Sequence, residues 1–183
     1  SLVPRLRALN AIVLPKAMST PSLLFDRRLL HGRLARADRQ GTVLFLIETV
    51  AQELAERLAA VLRDFYAAAD IATPSDSLRR ALSERVPSLA AVDFSDDEVL
   101  PLAAQALDLA VSALALQFVN DLPGALTQIR LALKPDGLLL AAVVGGDTLI
   151  ELRQSFTQAE SELEGGVSPH VIPFADLRDL GAL

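Results

Sequence analysis

Carboxylates carry most of the chemistry this chain could do. Asp96, Asp97 and Glu98 stand side by side just past a short apolar stretch that begins at Leu89. Grouped carboxylates at a strand end can do acid–base work or hold a hard cation. The plainer reading is a solvated acidic loop or helix start, and no calcium-loop spacing is present. The second arrangement is a turn. Asp70-Ile71 closes an apolar stretch, Ala72-Thr73-Pro74-Ser75-Asp76 follows, and Ser77–Arg85 reads as a short helix. Strand, small-residue turn and helix is the layout of a nucleotide-binding first crossover. Ala72 and Asp76 stand where glycine would let a ligand approach the backbone. The remaining inventory is short. There is no cysteine, which excludes disulfides, thiolate metal sites and cysteine nucleophiles. His31 and His170 are far apart in sequence, so no metal site is expected.

The elements that must position these residues are organised around Ala106–Gly146. Leu107–Leu116 is a continuous apolar run, and Leu138–Val144 is another. Apolar runs without alternation are expected where helices cover both faces of a parallel sheet. Between them, Asn120-Asp121 offers a helix cap, and Pro123 suits a first turn. Leu122, Leu126, Ile129 and Leu133 recur at helical spacing. Lys134 suits the negative end of that helix, Pro135 stops it, and Asp136-Gly137 supplies a turn in which glycine takes the positive φ. This is a strand–helix–strand unit, right-handed by default.

Upstream, a basic helix is expected from about Leu23 to Gln40, with Asp26 in its first turn and Arg27, Arg28, Arg33, Arg36 and Arg39 following. A solvated face is the favoured reading of those arginines; a lid helix gripping an acidic partner is the functional one. Gly41–Asp64 reads as a second helix, and Phe65–Ile71 as the first strand. Downstream, Asp147 or Thr148 is expected to cap a helix reaching about Glu164. A loop through Phe174 and the start of another helix follow. Residues 1–17 hold Arg5, Arg7 and Lys16 and no acid, which suits an organelle-targeting segment. The favoured reading takes Met18, the sole methionine, as the natural start.

The 183 residues are enough for one domain with a real core, and 51% are hydrophobic, which argues for a packed protein. Net charge is −6, spread unevenly: residues 1–40 hold eight Lys/Arg against two Asp, the remainder nine against twenty-one Asp/Glu. An acidic body disfavours general nucleic-acid binding. No apolar run reaches the roughly 18 residues of a membrane span. The apolar excess leaves room for a homodimer.

ValSerAlaLeuAlaLeuGlnPheValAsnAspLeuProGlyAlaLeu, followed by IleArgLeuAlaLeuLysProAspGly, resembles the class I S-adenosylmethionine-dependent methyltransferases. The nearest subgroup in resemblance comprises biotin-synthesis methyltransferases and the methyltransferase-like complex I assembly factor. LeuPheAspArg, GlyGlyAspThrLeu and GluGlyGlyValSerPro resemble the same subgroup, so the likeness covers Leu23 to Leu183. It implies an α/β fold, a Rossmann-like, doubly wound, mainly parallel sheet. N-terminal helices at 23–64 precede an α/β core at 65–183, and residues 1–22 form an N-terminal extension. It also implies S-adenosylmethionine as cofactor and a small-molecule or protein methyl acceptor. The location implied is the bacterial cytoplasm, with the mitochondrial matrix as the alternative.

Carried over by resemblance, Asp70, Ala72, Thr73 and Asp76 fall on the first-strand motif and its glycine-rich turn. Asp96 and Asp97 fall on the acidic position near the adenine, and Ser112, Ala113 and Leu114 on the strand end near the sulfonium. Gln117-Phe118 stands where many relatives have His-Trp. Three departures are visible. The turn lacks glycine. Only about ten residues separate Leu82 from Asp93, where the family fits a second strand, a helix and a third strand, and no ribose-binding carboxylate is found there. The family's final antiparallel hairpin is missing. These departures bring in the alternatives, a non-catalytic assembly or binding protein and an arginine hydroxylase of the complex I assembly type.

Overall fold

A computed structural model describes residues 23–182. The expected extension and Met18 start, residues 1–22, lie outside them. Helices α1 (Arg27–Gln40) and α2 (Phe45–Ala59) precede strand β1 (Ala68–Ile71). Then come α3 (Ser77–Leu82), β2 (Leu89–Val92), β3 (Leu107–Ala113), α4 (Leu122–Ala132) and β4 (Leu133–Ala142). Helices α5 (Ile150–Leu163) and α6 (Leu177–Gly181) end the order. The four strands lie in the order β2-β1-β3-β4, every pair parallel.

The sheet separates two cores. Leu109, Val111 and Ala113 of β3 face α2 and α3, where Ile47, Ala51, Leu54, Leu58, Leu78 and Leu82 are buried. Ala69, Ile71 and Ala110 face the other way, toward Ala125, Ile129 and Ala132 of α4. Helices on both faces demand apolar residues at successive positions of the central strands, and β1 and β3 meet that demand. The edges differ. On β2, Ala90 and Ala91 are exposed, and β4 is only half-buried. The expectation that both apolar runs are covered on two faces therefore holds for β3 and fails for β4.

Caps explain most helix ends. Asp26 accepts from the Leu29 N–H at 3.0 Å and starts α1. Gly41, at φ 82°, ends it by donating to the Asp38 carbonyl. Asp121 accepts from the Gly124 N–H at 2.9 Å and starts α4. Several expected boundaries move. The first strand begins at Ala68, because Phe65 turns into the α2 core. The second helix starts at Phe45 because Gly41 belongs to the end of α1. Neither Asp147 nor Thr148 caps α5; Leu149 precedes it at φ 57° without a side-chain cap.

The Lys134–Gly137 turn is absorbed into β4. Leu133 pairs with Leu107, an irregularity follows, and Leu138 pairs with Leu109. The positive φ falls on Asp136, at 65°, and not on Gly137. Glycine is needed at 137 for a different reason: a Cβ there would sit 2.9 Å from the Leu133 Cβ and from the Lys134 carbonyl oxygen. Lys134 does not meet the end of α4; it reaches Asp108 at 2.8 Å.

Candidate functional site

The carboxyl ends of the strands gather the residues of interest. The crossover through α3 leaves β1 toward β2, and the one through α4 leaves β3 toward β4, on opposite faces. The order reverses between β1 and β3, which is where parallel α/β sheets open a crevice. Both strands leave the sheet there through left-handed, non-glycine residues, Ala72 at φ 57° and Leu114 at φ 53°. Such backbone costs free energy and persists only where its surroundings impose it. Here hydrogen bonds impose it. Ala72 N–H donates to the Val92 carbonyl at 2.7 Å, and Ala113 N–H donates to Thr73 Oγ1 at 3.0 Å. Ser112 Oγ donates to the Ile71 carbonyl at 2.8 Å, and Leu114 N–H to the Ala142 carbonyl at 2.9 Å.

Asp70 sits at the end of β1 with its carboxylate buried. Arg79 Nη1 on α3 donates to Oδ2 at 2.7 Å, while Oδ1 is buried without a partner. Burial pushes this carboxyl above the ordinary aspartate range, against the pull of neighbouring Thr73 and Arg79, which lowers it. An open cleft of about 320 Å³ extends from Asp70 along Thr73–Asp76 and Arg79 to Asp93 at the tip of β2. Asp76 pairs with Arg80 at 2.7 Å, so its charge is already met.

The acidic trio does not converge. Asp96 takes Arg28 at 2.8 Å, and that guanidinium holds its carboxyl below the usual range. Asp97 points outward, exposed. Glu98, at φ 56°, turns inward and accepts from the Asn120 N–H, the Asp121 N–H and Asn120 Nδ2. This is a structural tie between loops and offers no joint site. Among the described residues, no group of three His, Cys, Asp or Glu is placed to hold a metal ion. Of the candidates on β3, Ser112 is wholly buried and its hydroxyl is committed to the sheet. Ala113 is spanned by Thr73, and Leu114 alone lines a cavity.

Asp93, Arg27 and His31, none of them among the expected cofactor-binding residues, converge here. Leu89–Val92 pairs directly with β1 and fills the slot beside it, so Asp93 ends the strand next to Asp70's. A lone carboxylate closing an apolar run was the available signal, masked by the more conspicuous trio after it. Arg27, expected on a solvated face, is only 6% exposed and reaches Asp93 Oδ1 at 3.1 Å. His31, one turn later, reaches Asp93 Oδ2 at 3.3 Å. With Leu30 and Leu34 they roof a cavity of about 50 Å³ over Ala72, Pro74, Leu114 and Phe118.

This architecture is that of a methyltransferase domain. The family model of that description matches residues 49–141, and the chain belongs to the family. Among curated relatives, the chain is similar to arginine-hydroxylase NDUFAF5, mitochondrial, of Mus musculus: 37% identical over 196 residues, 92% of this chain and 57% of the relative. It is also similar to malonyl-[acyl-carrier protein] O-methyltransferase of Xylella fastidiosa, 42% identical over 91 residues, 50% of this chain and 29% of the relative. The chain thus spans well under two thirds of the relatives it matches. A solved SAM-dependent methyltransferase of Thermotoga maritima shares the fold, with TM-score 0.51 and 17% identity over 84% of this chain and 77% of its own. So does YcgJ of Bacillus subtilis, with TM-score 0.51 and 15% identity over 73% and 65%.

The family implies S-adenosylmethionine as cofactor. The residues fit part of it well. The partnerless Asp70 Oδ1 offers an acceptor to a cationic group, and the cleft has the size of a small-ligand pocket. Over β1 and β3, by contrast, the roof of α1 leaves only a cavity of about 50 Å³. Among the described residues, no helix is long and apolar enough to cross a membrane.

Proposed function

We propose that the chain is the cofactor-binding part of an S-adenosylmethionine-dependent methyltransferase. The observation that carries this reading is the buried, half-partnered Asp70 facing an open cleft at the strand tips. Asp70, Ala72, Thr73 and Asp76 hold the amino-acid end of the cofactor, and Asp93 the ribose hydroxyls. Asp96 and Asp97 lie on the adenine side. Ser112, Ala113 and Leu114 wall the sulfonium side, with Ser112 and Ala113 keeping that wall rigid. The cofactor supplies an already activated methyl group, so the protein's work is alignment and exclusion of water. The location that suits this reading is the bacterial cytoplasm, with the mitochondrial matrix as the alternative. The acceptor is a small molecule or a protein, and no nucleic acid is involved.

The test is titration calorimetry of the chain with S-adenosylhomocysteine, alongside Asp70→Ala. Saturable binding lost in the variant supports the reading. No heat and no thermal shift at millimolar ligand overturns it.

A second reading rests on the glycine-free turn at Ala72–Asp76 and the shut roof. Under it the chain is a methyltransferase-like protein that assembles or binds a partner, or, as the mouse relative's name suggests, an arginine hydroxylase. Hydroxylation adds an oxygen atom and therefore needs an oxidant and a reductant. Oxygen-dependent mass gain on a partner arginine separates it from methyl transfer.

A further inference from the structure

Asp93 stands at the tip of the strand beside β1, yet both of its oxygens are occupied from within the chain. Arg27 Nη2 donates to Oδ1 at 3.1 Å, beside the Phe94 N–H at 2.7 Å, and the His31 ring stands with Nε2 3.3 Å from Oδ2. Arg27 and His31 both sit on α1, one turn apart. We propose that α1 is a latch that closes the cofactor site by holding Asp93, and that a ligand carrying a vicinal diol, an adenosyl nucleoside, must displace it. This rests on the cofactor reading above and adds regulation to the same site.

The latch is built to be breakable. Arg27 is the only buried residue of α1. Its guanidinium lies 5.3 Å from the centre of the Phe94 ring, and Nη2 also approaches the Phe94 carbonyl at 3.4 Å. Its Nε is buried with no partner. A buried cation with one donor unmet is incompletely compensated, so the closed state rests on the Asp93 contact and on the Phe94 ring and carbonyl alone. The rest of the helix offers no second grip of that kind. Leu29, Arg33, Leu34, Arg36 and Arg39 are exposed. Arg28 meets Asp96 only at the surface, where ion pairs contribute little.

A hinge is present at the near end. Phe25 N–H donates to Asn120 Oδ1 at 2.8 Å, and Asn120 Nδ2 donates to the Phe25 carbonyl at 3.0 Å. The Phe25 ring meets Phe118 edge-on at 5.9 Å. Asn120 is itself fixed by Glu98. Release of Asp93 therefore frees α1 to swing from a fixed root without detaching. The partner exchange is simple chemistry: a carboxylate gives up a guanidinium donor and a neighbouring imidazole and accepts two hydroxyl donors.

The experiment compares the full chain with Arg27→Met and His31→Gln. Hydrogen exchange along 27–40 reads the latch, and calorimetry with S-adenosylhomocysteine reads the site. Closure that leaves a tenth of molecules open weakens apparent affinity about tenfold. The expected result is faster exchange in α1 and about tenfold tighter binding in Arg27→Met, with a smaller change of the same sign in His31→Gln. Should Arg27→Met melt early, His31→Gln carries the comparison, because His31 is half-exposed. Unchanged α1 exchange in both variants overturns the latch whatever the ligand does. Looser α1 with weaker or equal binding overturns the competition. No binding to any of the three chains, with α1 loosened, sinks the cofactor reading and the competition with it.

Discussion

Arg79 Nη1 lies 2.7 Å from one oxygen of Asp70, and among the described residues no hydrogen-bond donor meets the other. Burial wins over the opposing pull of Thr73 and Arg79 and raises the carboxyl's pKa. A carboxyl raised in the folded state stabilises the fold fully below the unfolded value, about 3.9, and that contribution is lost as pH rises through the folded value. Asp70→Asn keeps an acceptor for Arg79 and removes the buried charge. It is expected to melt higher than the parent at neutral pH, with the gap closing as pH falls. The same change weakens S-adenosylhomocysteine binding by about tenfold, the scale of one charged hydrogen bond. Melting curves across pH and calorimetry check both halves. A lower melting temperature at neutral pH contradicts the account.

Ala72 takes a left-handed conformation at φ 57° in the turn that follows β1. The left-handed region costs a non-glycine residue about 1–2 kcal/mol. Glycine removes that strain and gives back about 0.5–1 kcal/mol in unfolded-chain entropy. Ala72→Gly is therefore expected to stabilise by roughly 0.5 kcal/mol, read from the urea midpoint at unchanged slope. In the proposed site it also lets a ligand approach the backbone, so binding should tighten or hold. Destabilisation would mean that the Ala72 side chain packs more than its geometry suggests.

What was legible in sequence follows from which forces are local. The strands at Leu107 and Leu138, the helix containing Ile129 and the cap at Asp121 are set by local pattern and neighbouring backbone, and they read correctly; the cover of β4 and the place of Leu133, which opens β4, did not. The turn between Ile71 and Ser77 was also legible, because a strand–turn–helix pattern marks its own turn. Arg27 was not. Its burial depends on Asp93, 66 positions away, and no helical periodicity records that. The trio at Asp96–Glu98 does not act jointly, in keeping with the plainer loop reading: Asp96 goes to Arg28 and Glu98 to Asn120, in different directions. Asp93 acquired its place only because β2 lies directly against β1.

Gly137 and Asp136 exchange the roles a turn rule would assign, and substitution separates them. A Cβ at 137 would stand 2.9 Å from the Lys134 carbonyl oxygen, a backbone atom that cannot step aside cheaply. Gly137→Ala is expected to destabilise by about 1–3 kcal/mol, the usual range for overpacking. Asp136, at φ 65°, carries the left-handed strain. Asp136→Gly is expected to be neutral or stabilising by up to roughly 1 kcal/mol. Urea unfolding of the two variants decides. If both destabilise equally, the division of labour is wrong.

Glu160 fastens the loop after α5 back onto that helix. It accepts from the Ser168 N–H at 2.7 Å and pairs with His170, whose ring also lies against Phe156 at 4.7 Å. The His170 contact, then the Ser168 N–H, hold its carboxyl below the usual glutamate range. A lowered folded pKa stabilises above the unfolded value, about 4.3, and that contribution is lost as pH falls through the folded value. The Ser168 amide should therefore be protected from hydrogen exchange at neutral pH and lose that protection on acidification below the unfolded value. Glu160→Gln cannot make the charged contact at any pH. Its loop should exchange fast throughout, with the rest of the fold unchanged, because α5 has no buried residue to transmit the loss. A loop that stays protected in Glu160→Gln would show that Phe156 stacking, and not the carboxylate, holds it.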